Sequence, residues 1–387
     1  MTPGARIAAA IGVLDAVLAG EAAEKALTGW ARGARYAGSK DRAAVRDHVY
    51  QALRCKRSYA CLGGAMTGRG LMLGAVRDAN EPIGALFSGE GHAPAPLTAD
   101  EAAGGHQPES DGERLDLPDW MLSLFDESLG KRAEEAALAL RGRAPLMLRV
   151  NERRATRDEV IAILAEDGLA AEPVAIAPMA LRLDKGARGV ANSRAFIEGM
   201  VELQDGSSQA AMAALDLSGA GRVLDYCAGG GGKVLALAAR ADSAFYAHDA
   251  APRRMADLPA RAARAGVDVQ LLDDAEEAAL YDLVLCDAPC SGSGTWRRSP
   301  DEKWRLSAER LGELTRIQGD ILDRAQALVA PQGQLAYATC SLFHAENEAQ
   351  SDHFMARHPG WRETLRRRWP IGDEGDGFYL WVVQRRS

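Results

Sequence analysis

The chain has 387 residues, with 46 Lys and Arg against 54 Asp and Glu, a formal net charge of -8 and 47% hydrophobic residues. That length exceeds one typical core and predicts two or three domains, and a pI near 5.5 argues against a protein that coats nucleic acid by bulk charge. No apolar run approaches the roughly 20 residues of a membrane helix, Arg6 and Asp15 interrupt the N-terminal stretch before a signal-peptide core, and the cysteines at 55, 61, 227, 286, 290 and 340 lack the paired spacing of a disulfide framework; a cytoplasmic protein with no membrane partner is expected.

Residues 6–87 are Ala-rich, with Ile7, Ile11, Leu14 and Leu18, then Val45, Val49 and Leu53, at helical spacing. They predict a helical bundle, with a helix start at Gly38-Ser39. Arg32, Arg35, Lys40, Arg42, Arg46, Arg54, Lys56 and Arg57 stand against only Asp41 and Asp47, interleaved with Trp30, Tyr36, Tyr50 and Tyr59. A local basic field with aromatic faces suits RNA; a solvated helical face that keeps a small domain soluble explains the segment equally well. Residues 88–117 are dominated by Gly, Pro, Ala and acids and read as a flexible surface loop. A helix resumes at Leu117-Pro118, with Trp120, Leu122 and Leu124.

Leu146–Val150 is a strand candidate, Thr156-Arg157-Asp158-Glu159 opens an amphipathic helix through Leu164, and Ala180–Leu183 is another strand candidate. This makes a small α/β linking domain over 140–200, either a structural linker or a second RNA-contacting surface. From Val201 strands and helices alternate: Arg222–Cys227, Ala244–His248, Val267–Leu272, Leu283–Cys286 and Gln334–Thr339, with helices at Val234–Ala239, Arg253–Ala265 and Arg310–Ala330. That alternation predicts a doubly wound parallel sheet over 201–387, behind a helical domain at 1–135.

The stretch Leu283–Trp296 organises the rest. An apolar strand breaks at Asp287 into a loop carrying Pro289 and Cys290, at the carboxyl end where open α/β sheets hold ligands. Cys340 closes a second apolar strand, so two thiols are expected to face one pocket. Upstream, Asp225 and Cys227 lead through Ala228, Gly229, Gly230, Gly231 and Gly232 to Lys233 at a helix start. Four glycines let the backbone approach a ligand and present its amides, but Val234 follows Lys233 where a Walker loop has Ser or Thr. Asp249 ends the next strand, where a carboxylate takes ribose hydroxyls, and Asp274 ends the following one, within reach of an adenine amino group. An adenosine cofactor fits, and both a nicotinamide and S-adenosylmethionine qualify. The thiols select the second: hydride transfer needs neither, whereas methylating carbon 5 of a pyrimidine needs a nucleophile at carbon 6 and later a base for the 5-proton. Cys227 and Cys286, inside apolar strands, read as small core residues; without Cys-x-x-Cys spacing no metal site is expected. A redox disulfide between Cys290 and Cys340 would leave the carboxylates unexplained. His248 reads as ordering its loop and Arg366-Arg367-Arg368 as a solvated charge run.

Asp287-Ala288-Pro289-Cys290-Ser291-Gly292 and Tyr337-Ala338-Thr339-Cys340-Ser341-Leu342, with Glu346-Asn347 downstream, resemble the two cysteine motifs of the Sun/Nop family of RNA cytosine-5 methyltransferases. Gln204-Asp205 with Ser207 and Gln209, Arg298–Trp304 and Gly375-Asp376-Gly377-Phe378 resemble further segments of its catalytic domain, and Asp41-Arg42-Ala43, Val49-Tyr50 and Leu53-Arg54 resemble the helical domain related to the antitermination factor NusB. Together they look like the bacterial small-subunit ribosomal RNA methyltransferase B group. The resemblance implies a Rossmann-like class I S-adenosylmethionine-dependent methyltransferase with an N-terminal all-α NusB-like bundle, acting on RNA, expected to be ribosomal, as a monomer. It implies Cys340 as the nucleophile, Cys290 as the residue that helps release product, Asp287 on the cytosine ring and Lys233 near donor and target. It implies cofactor contacts from the turn Cys227–Lys233 and from Asp249, Arg254, Asp274 and Asp287. The departure is Ala228-Gly229-Gly230, where the family has Ala-Ala-Pro; loss of the proline is expected to loosen the loop. Rival expectations are a transfer RNA methyltransferase, an RNA-binding ribosome-assembly factor with weak catalysis and, less favoured, a DNA cytosine methyltransferase.

Overall fold

A computed structural model of the chain describes residues 1–183, 187–275 and 280–386. The chain divides into two units, one of Ala144–Thr295 with Leu306–Ser387 and the other of Met1–Arg143 with Trp296–Arg305. Among the described residues no helix is long and apolar enough to cross a membrane.

The larger unit holds two sheets. In the first, β1 (Leu146–Val150), β2 (Ala171–Pro173), β3 (Ala180–Leu183) and β4 (Val201–Leu203) pair antiparallel in the order β2-β3-β1-β4. Helix Arg157–Glu166 starts at the Thr156/Glu159 capping box legible in the sequence. The linking sheet thus takes its edge strand from Val201–Leu203, beyond the expected limit at 200. β2 and β4 have three residues each, too short to show periodicity.

The second sheet contains β5 (Arg222–Asp225), β6 (Ala244–Ala247), β7 (Gln270–Leu271), β8 (Tyr281–Asp287), β9 (Val329–Thr339), β10 (Trp361–Trp369) and β11 (Phe378–Arg385), in the order β10-β11-β9-β8-β5-β6-β7. β9, β8, β5, β6 and β7 are parallel, as expected for a Rossmann-like sheet. Leu224, Leu283, Val284, Leu285, Leu335 and Ala336 are buried, which explains the continuous apolar runs. The strand order reverses at β5, whose neighbours are β6 and β8, so a crevice opens at the carboxyl ends there. β11 is antiparallel to β9, and β10 to β11. β10 escapes a search for apolar runs because Arg362, Glu363, Arg366 and Arg367 lie on an edge strand. Arg366 pairs with Glu363 and Asp352, both at 2.7 Å, and Arg368 with Glu348, so the arginine run is partly ion-paired rather than simply solvated.

In the smaller unit, helices Pro3–Leu18, Ala23–Gly33, Ser39–Arg54, Lys56–Gly63 and Gly68–Asp78 bury Ile7, Leu14, Val45, Val49, Leu53 and Leu71. Helices Lys56–Gly63 and Gly68–Asp78 approach so closely that a Cβ on Gly63 or Gly74 would collide with the facing backbone. Residues 88–117, read from composition as a flexible loop, contain helices Ala99–Ala103 and Asp111–Arg114, each with a capping box. Arg69 binds Glu101 at 2.6 Å, Arg77 donates to the Gly104 carbonyl at 2.9 Å, and buried Asp116 accepts from the Ser58 amide and hydroxyl at 2.9 and 2.8 Å. Directed polar bonds do here what apolar burial does elsewhere, and composition does not register them.

Segment Trp296–Arg305 completes this unit at the end of helix Ser39–Arg54. Trp304 Nε1 donates to the Leu53 carbonyl at 2.7 Å and Lys303 Nζ to the Arg54 carbonyl at 3.2 Å, satisfying acceptors that a helix end leaves open. Burial pulls the Lys303 pKa down to about 8. Arg54 Nε donates to the Arg297 carbonyl at 2.7 Å, and burial lowers the Arg54 pKa to about 10. At 6% exposure Arg54 is a structural residue and leaves the basic field in which its sequence position had put it. Arg54→Ala is therefore expected to destabilise the protein by about 1 to 3 kcal/mol, the usual consequence of deleting one partner of a buried hydrogen bond. Urea unfolding measures this, and a change below about 0.5 kcal/mol, typical of surface substitutions, would return Arg54 to the surface.

Candidate active site

β8 and β9 are parallel neighbours with Asp287 beside Ala338, so the loops that follow them leave the sheet on the same side. Cys290 Sγ and Cys340 Sγ lie 3.5 Å apart. Backbone bonds hold the loops in place: Ala288 N–H to the Ala338 carbonyl at 3.0 Å, Gly294 N–H to the Cys340 carbonyl at 2.9 Å, and Gly377 N–H to the Gly294 carbonyl at 3.1 Å. A Cβ on Gly294 would strike the Gly377 carbonyl, so this crossing needs glycine.

Between the loops lies Glu346, with no solvent exposure. Its carboxylate accepts from the Ser291 amide at 2.8 Å, from the Ser291 and Ser341 hydroxyls, both at 2.5 Å, and from Gln318 Nε2 at 3.0 Å. Gln318 also donates to the Pro289 carbonyl at 2.9 Å. One buried carboxylate thus ties each cysteine's following serine to the other. The sequence had marked Glu346 only as part of a motif downstream of Cys340; its function as a clamp depends on serines 55 and 5 residues away.

Charge around the thiols is asymmetric. The Cys290 thiol is pushed well above its ordinary pKa, first by its hydrogen bond to Cys340, then by burial and by the negative charges of Cys340 and Glu346, so Cys290 keeps its proton beside the Cys340 sulfur. Lys233 Nζ lies 2.5 Å from Asp287 Oδ2 and 5.4 Å from the Phe378 ring centroid. Burial favours the neutral amine, but the charge and hydrogen bond of Asp287, with Cys340 and Asp225 behind them, outweigh it and raise the Lys233 pKa. Behind this pair Asp225 is fully buried, with the backbone amides of Cys227 and Val234 close to its carboxyl. Burial and then Asp287 raise its pKa to about 7, against the attraction of Lys233 and the hydrogen bonds of the Cys227 and Val234 amides.

The glycine turn joins β5 to helix Gly232–Ala238, with Lys233 in the first helical turn. Gly229 and Gly231 have φ of +52° and +81°, and a Cβ on Gly231 would collide with Leu258. Gly229 N–H donates to Asp249 Oδ2 at 2.9 Å, which also takes Arg254 Nη1 at 3.1 Å. Where the resembled family has proline, the Gly230 carbonyl accepts from Arg261, whose guanidinium pairs with buried Glu202 at 3.0 Å. The turn is braced by a charged bracket, not left loose.

A cavity of about 450 Å³ opens beside this turn, lined by Tyr226, Cys227, His248, Asp249, Arg254 and Asp274 and, across from them, by Pro289, Ile317 and Asp320. Its volume, the carboxylates of Asp249 and Asp274 and the apolar side chains of Pro289, Ile317 and Ile321 suit an adenosine-bearing cofactor beside the glycine turn. Four sequence candidates, Cys227, Asp249, Arg254 and Asp274, line it, Ala228 and Gly229–Gly232 form the turn, and Lys233, Asp287, Cys290 and Cys340 gather at the β8 and β9 ends. Cys227 lies beyond the end of β5 and faces the cavity, so it is not the core residue its apolar neighbours suggested; Cys286 is. His248 Nδ1 lies 3.0 Å from the Tyr226 carbonyl, in keeping with an ordering role. Sequence reading missed Glu346 as a clamp, Gln318, Arg261 and the cavity wall from helix Ala308–Ala325. Among the described residues no group of His, Cys, Asp and Glu could hold a metal ion.

Residues 212–380 match the family described as 16S rRNA methyltransferase RsmB/F, and residues 117–189 match the Methyltr_RsmF/B-like, ferredoxin-like domain. The chain is 33% identical to ribosomal RNA small subunit methyltransferase B of Vibrio cholerae serotype O1, over 71% of this chain and 67% of that protein. It is 33% identical to the probable ribosomal RNA small subunit methyltransferase B of Synechocystis, over 65% of this chain and 59% of that one. The match thus spans about three fifths to two thirds of the length of these relatives. The crystal structure of PH0851 superposes with a TM-score of 0.78 at 25% identity, covering 100% of this chain and 99% of that one.

Asp225 gives the site a pH signature in stability. Its ordinary pKa is 3.8 and its folded value about 7. Between them the folded chain keeps a proton that the unfolded chain has lost, so stability falls as pH rises through this window, by up to about 4 kcal/mol, and the loss is complete above it. Asp225→Asn is expected to flatten that fall, as read from urea unfolding at several pH values between about 4 and 8. An identical pH dependence in both proteins would mean that Asp225 titrates normally.

Proposed function

We propose, from the premise that this chain belongs to the 16S rRNA methyltransferase RsmB/F family, that it methylates carbon 5 of a cytosine in small-subunit ribosomal RNA through a covalent adduct on Cys340. Its cofactor is S-adenosylmethionine. The observation that carries the reading is the 3.5 Å separation of Cys290 and Cys340 beside the Lys233–Asp287 pair, at the strand ends that border the cavity.

Carbon 5 of cytosine is a weak nucleophile. A Cys340 thiolate that adds at carbon 6 forms a sulfur–carbon bond and drives the ring electrons toward carbon 5. The Cys290 thiol, held in its protonated form 3.5 Å from the Cys340 sulfur, can donate to it, in keeping with Cys340 as the attacking group. Asp287 orients the cytosine by accepting from its exocyclic amine. Bound S-adenosylmethionine supplies the electrophilic methyl group. Release then requires that a base, supplied by solvent in this reading, take the carbon-5 proton, that its bonding electrons re-form the double bond between carbons 5 and 6, and that the bond between carbon 6 and Cys340 break with its electrons returning to sulfur. Cys290 assists by hydrogen-bonding the departing thiolate. In the cavity, Asp249 would hold the ribose hydroxyls and Asp274 the adenine amino group, with the glycine turn against the methionine portion. The altered glycine loop and the acidic overall charge both suggest a catalytically weak assembly factor, and the braced Gly230 carbonyl speaks against the first of these grounds.

Two experiments test this. Cys340→Ala should abolish methylation and adduct formation while RNA still binds, whereas Cys290→Ala should accumulate a cofactor-dependent protein–RNA conjugate that survives denaturing electrophoresis. The reverse pattern exchanges the roles, and folded mutants that both fail to trap RNA would falsify the two-thiol mechanism. Arg261→Ala should weaken S-adenosylmethionine binding about 10-fold, equivalent to 1.4 kcal/mol, by unbracing the turn. Calorimetric titration that finds unchanged affinity removes the bracket from the cofactor site.

A further inference from the structure

Resting on the RNA substrate of the reading above, we propose that the concave face between helices Ala23–Gly33 and Ser39–Arg54 is a binding site for one unpaired nucleotide of the RNA strand and its flanking phosphates. The concavity encloses about 390 Å³ and is lined by Leu27, Trp30, Arg32, Arg42 and Arg46, with Glu24 at its edge. It lies wholly within the smaller unit and shares no residue with the catalytic machinery.

The case rests first on charge. Arg32, Arg42 and Arg46 are exposed, and among the described residues none has a carboxylate at ion-pair distance. Asp41 is engaged by the N-terminal ammonium at 3.2 Å and Arg6 at 2.8 Å and Asp47 by Arg143 at 3.3 Å, which leaves Glu24, hydrogen-bonded by the neutral Tyr50 hydroxyl at 2.6 Å, as the carboxylate at the edge of the hollow. Arg42 Nε donates to the Ala37 carbonyl at 3.0 Å, which fixes the guanidinium and leaves its two Nη groups for a ligand. Three guanidiniums around one hollow outnumber the single Glu24 carboxylate at its edge and repel each other, and an anion relieves that repulsion. In a chain of net charge -8 such a patch is local, so it selects a site and not a diffuse coat.

The second argument is the wall. Trp30 is half-buried, packed against the bundle core and also lining the hollow beside Leu27. An aromatic face behind guanidiniums is the arrangement that stacks a base while its phosphates are held, with stacking worth roughly 1 to 3 kcal/mol per base. In a duplex the base faces are covered by their neighbours, so the wall accepts only an unpaired nucleotide. Glu24 can accept from an exocyclic amine.

The test measures binding of a short fluorescein-labelled single-stranded RNA, and of the same strand annealed to its complement, to the full chain. The Arg42→Ala, Arg46→Ala double variant should weaken single-strand binding by about 10-fold and reduce the slope of log affinity against log salt by about 1.4, two phosphate contacts at roughly 0.7 each. Lys131→Ala with Arg132→Ala, equally exposed cations away from the hollow, should change neither. Trp30→Phe should keep the preference for single strands, and Trp30→Leu should reduce single-strand affinity about 5-fold or more at an unchanged salt slope. Equal weakening by the control pair, or a duplex bound as tightly as the single strand, would each overturn the proposal. Circular dichroism checks that each variant is folded; if Trp30→Leu is not, the arginine pair and its control still decide. Failure to methylate any RNA would sink the methyltransferase reading and leave these binding results intact.

Discussion

Everything at the site depends on the parallel pairing of β8 with β9 and the buried Glu346 carboxylate between their loops. Pairing alone brings two strand ends together; it does not align loop side chains to within a sulfur–sulfur contact. Glu346 does so by accepting from Ser291 and Ser341, the residues directly after the two cysteines. A buried carboxylate is tolerable because several donors reach it, and that requirement makes the arrangement specific: moving either loop leaves a charge short of partners in a region without water.

The same constraint explains how the site keeps charge at its rim. Lys233 and Asp287 face each other at 2.5 Å and remain partly exposed, whereas Asp225, deeper and fully buried, is pushed toward the neutral acid. Burial thus grades three adjacent ionisable groups, with charge held near the cavity and suppressed beneath it. The glycine turn follows related logic. Positive φ at Gly229 and Gly231 allows the backbone to bend, while Asp249, Arg254, Arg261 and Glu202 hold it from outside. Rigidity that a proline gives through the chain itself is replaced by ion pairs formed across the fold.

Cationic residues in the smaller unit divide into two populations that look alike along the chain. Arg54, Arg69 and Arg77 serve the fold, donating to carbonyls and to Glu101. Arg32, Arg42 and Arg46 border a hollow, and among the described residues no carboxylate lies at ion-pair distance from them. Net charge and local charge density cannot distinguish these uses, since both depend on which acceptors the fold brings near.

The sequence by itself determined the parallel sheet, the turn before Lys233 and the strand-end positions of Asp287, Cys290 and Cys340. These follow from local patterns, such as apolar runs of strand length, clustered glycines and a polar break at the strand end, each readable within about ten residues. Only the tertiary structure decided that Cys227 faces the cavity and Cys286 the core, though both border apolar strands, because one lies past the strand end and the other within it. Only it gave Glu346 its donors, Arg261 its hold on the glycine turn and Arg54 its carbonyl 243 residues away. Such bonds join groups whose separation along the chain carries no periodicity, so they appear only when folding removes water from both partners and each must find the other.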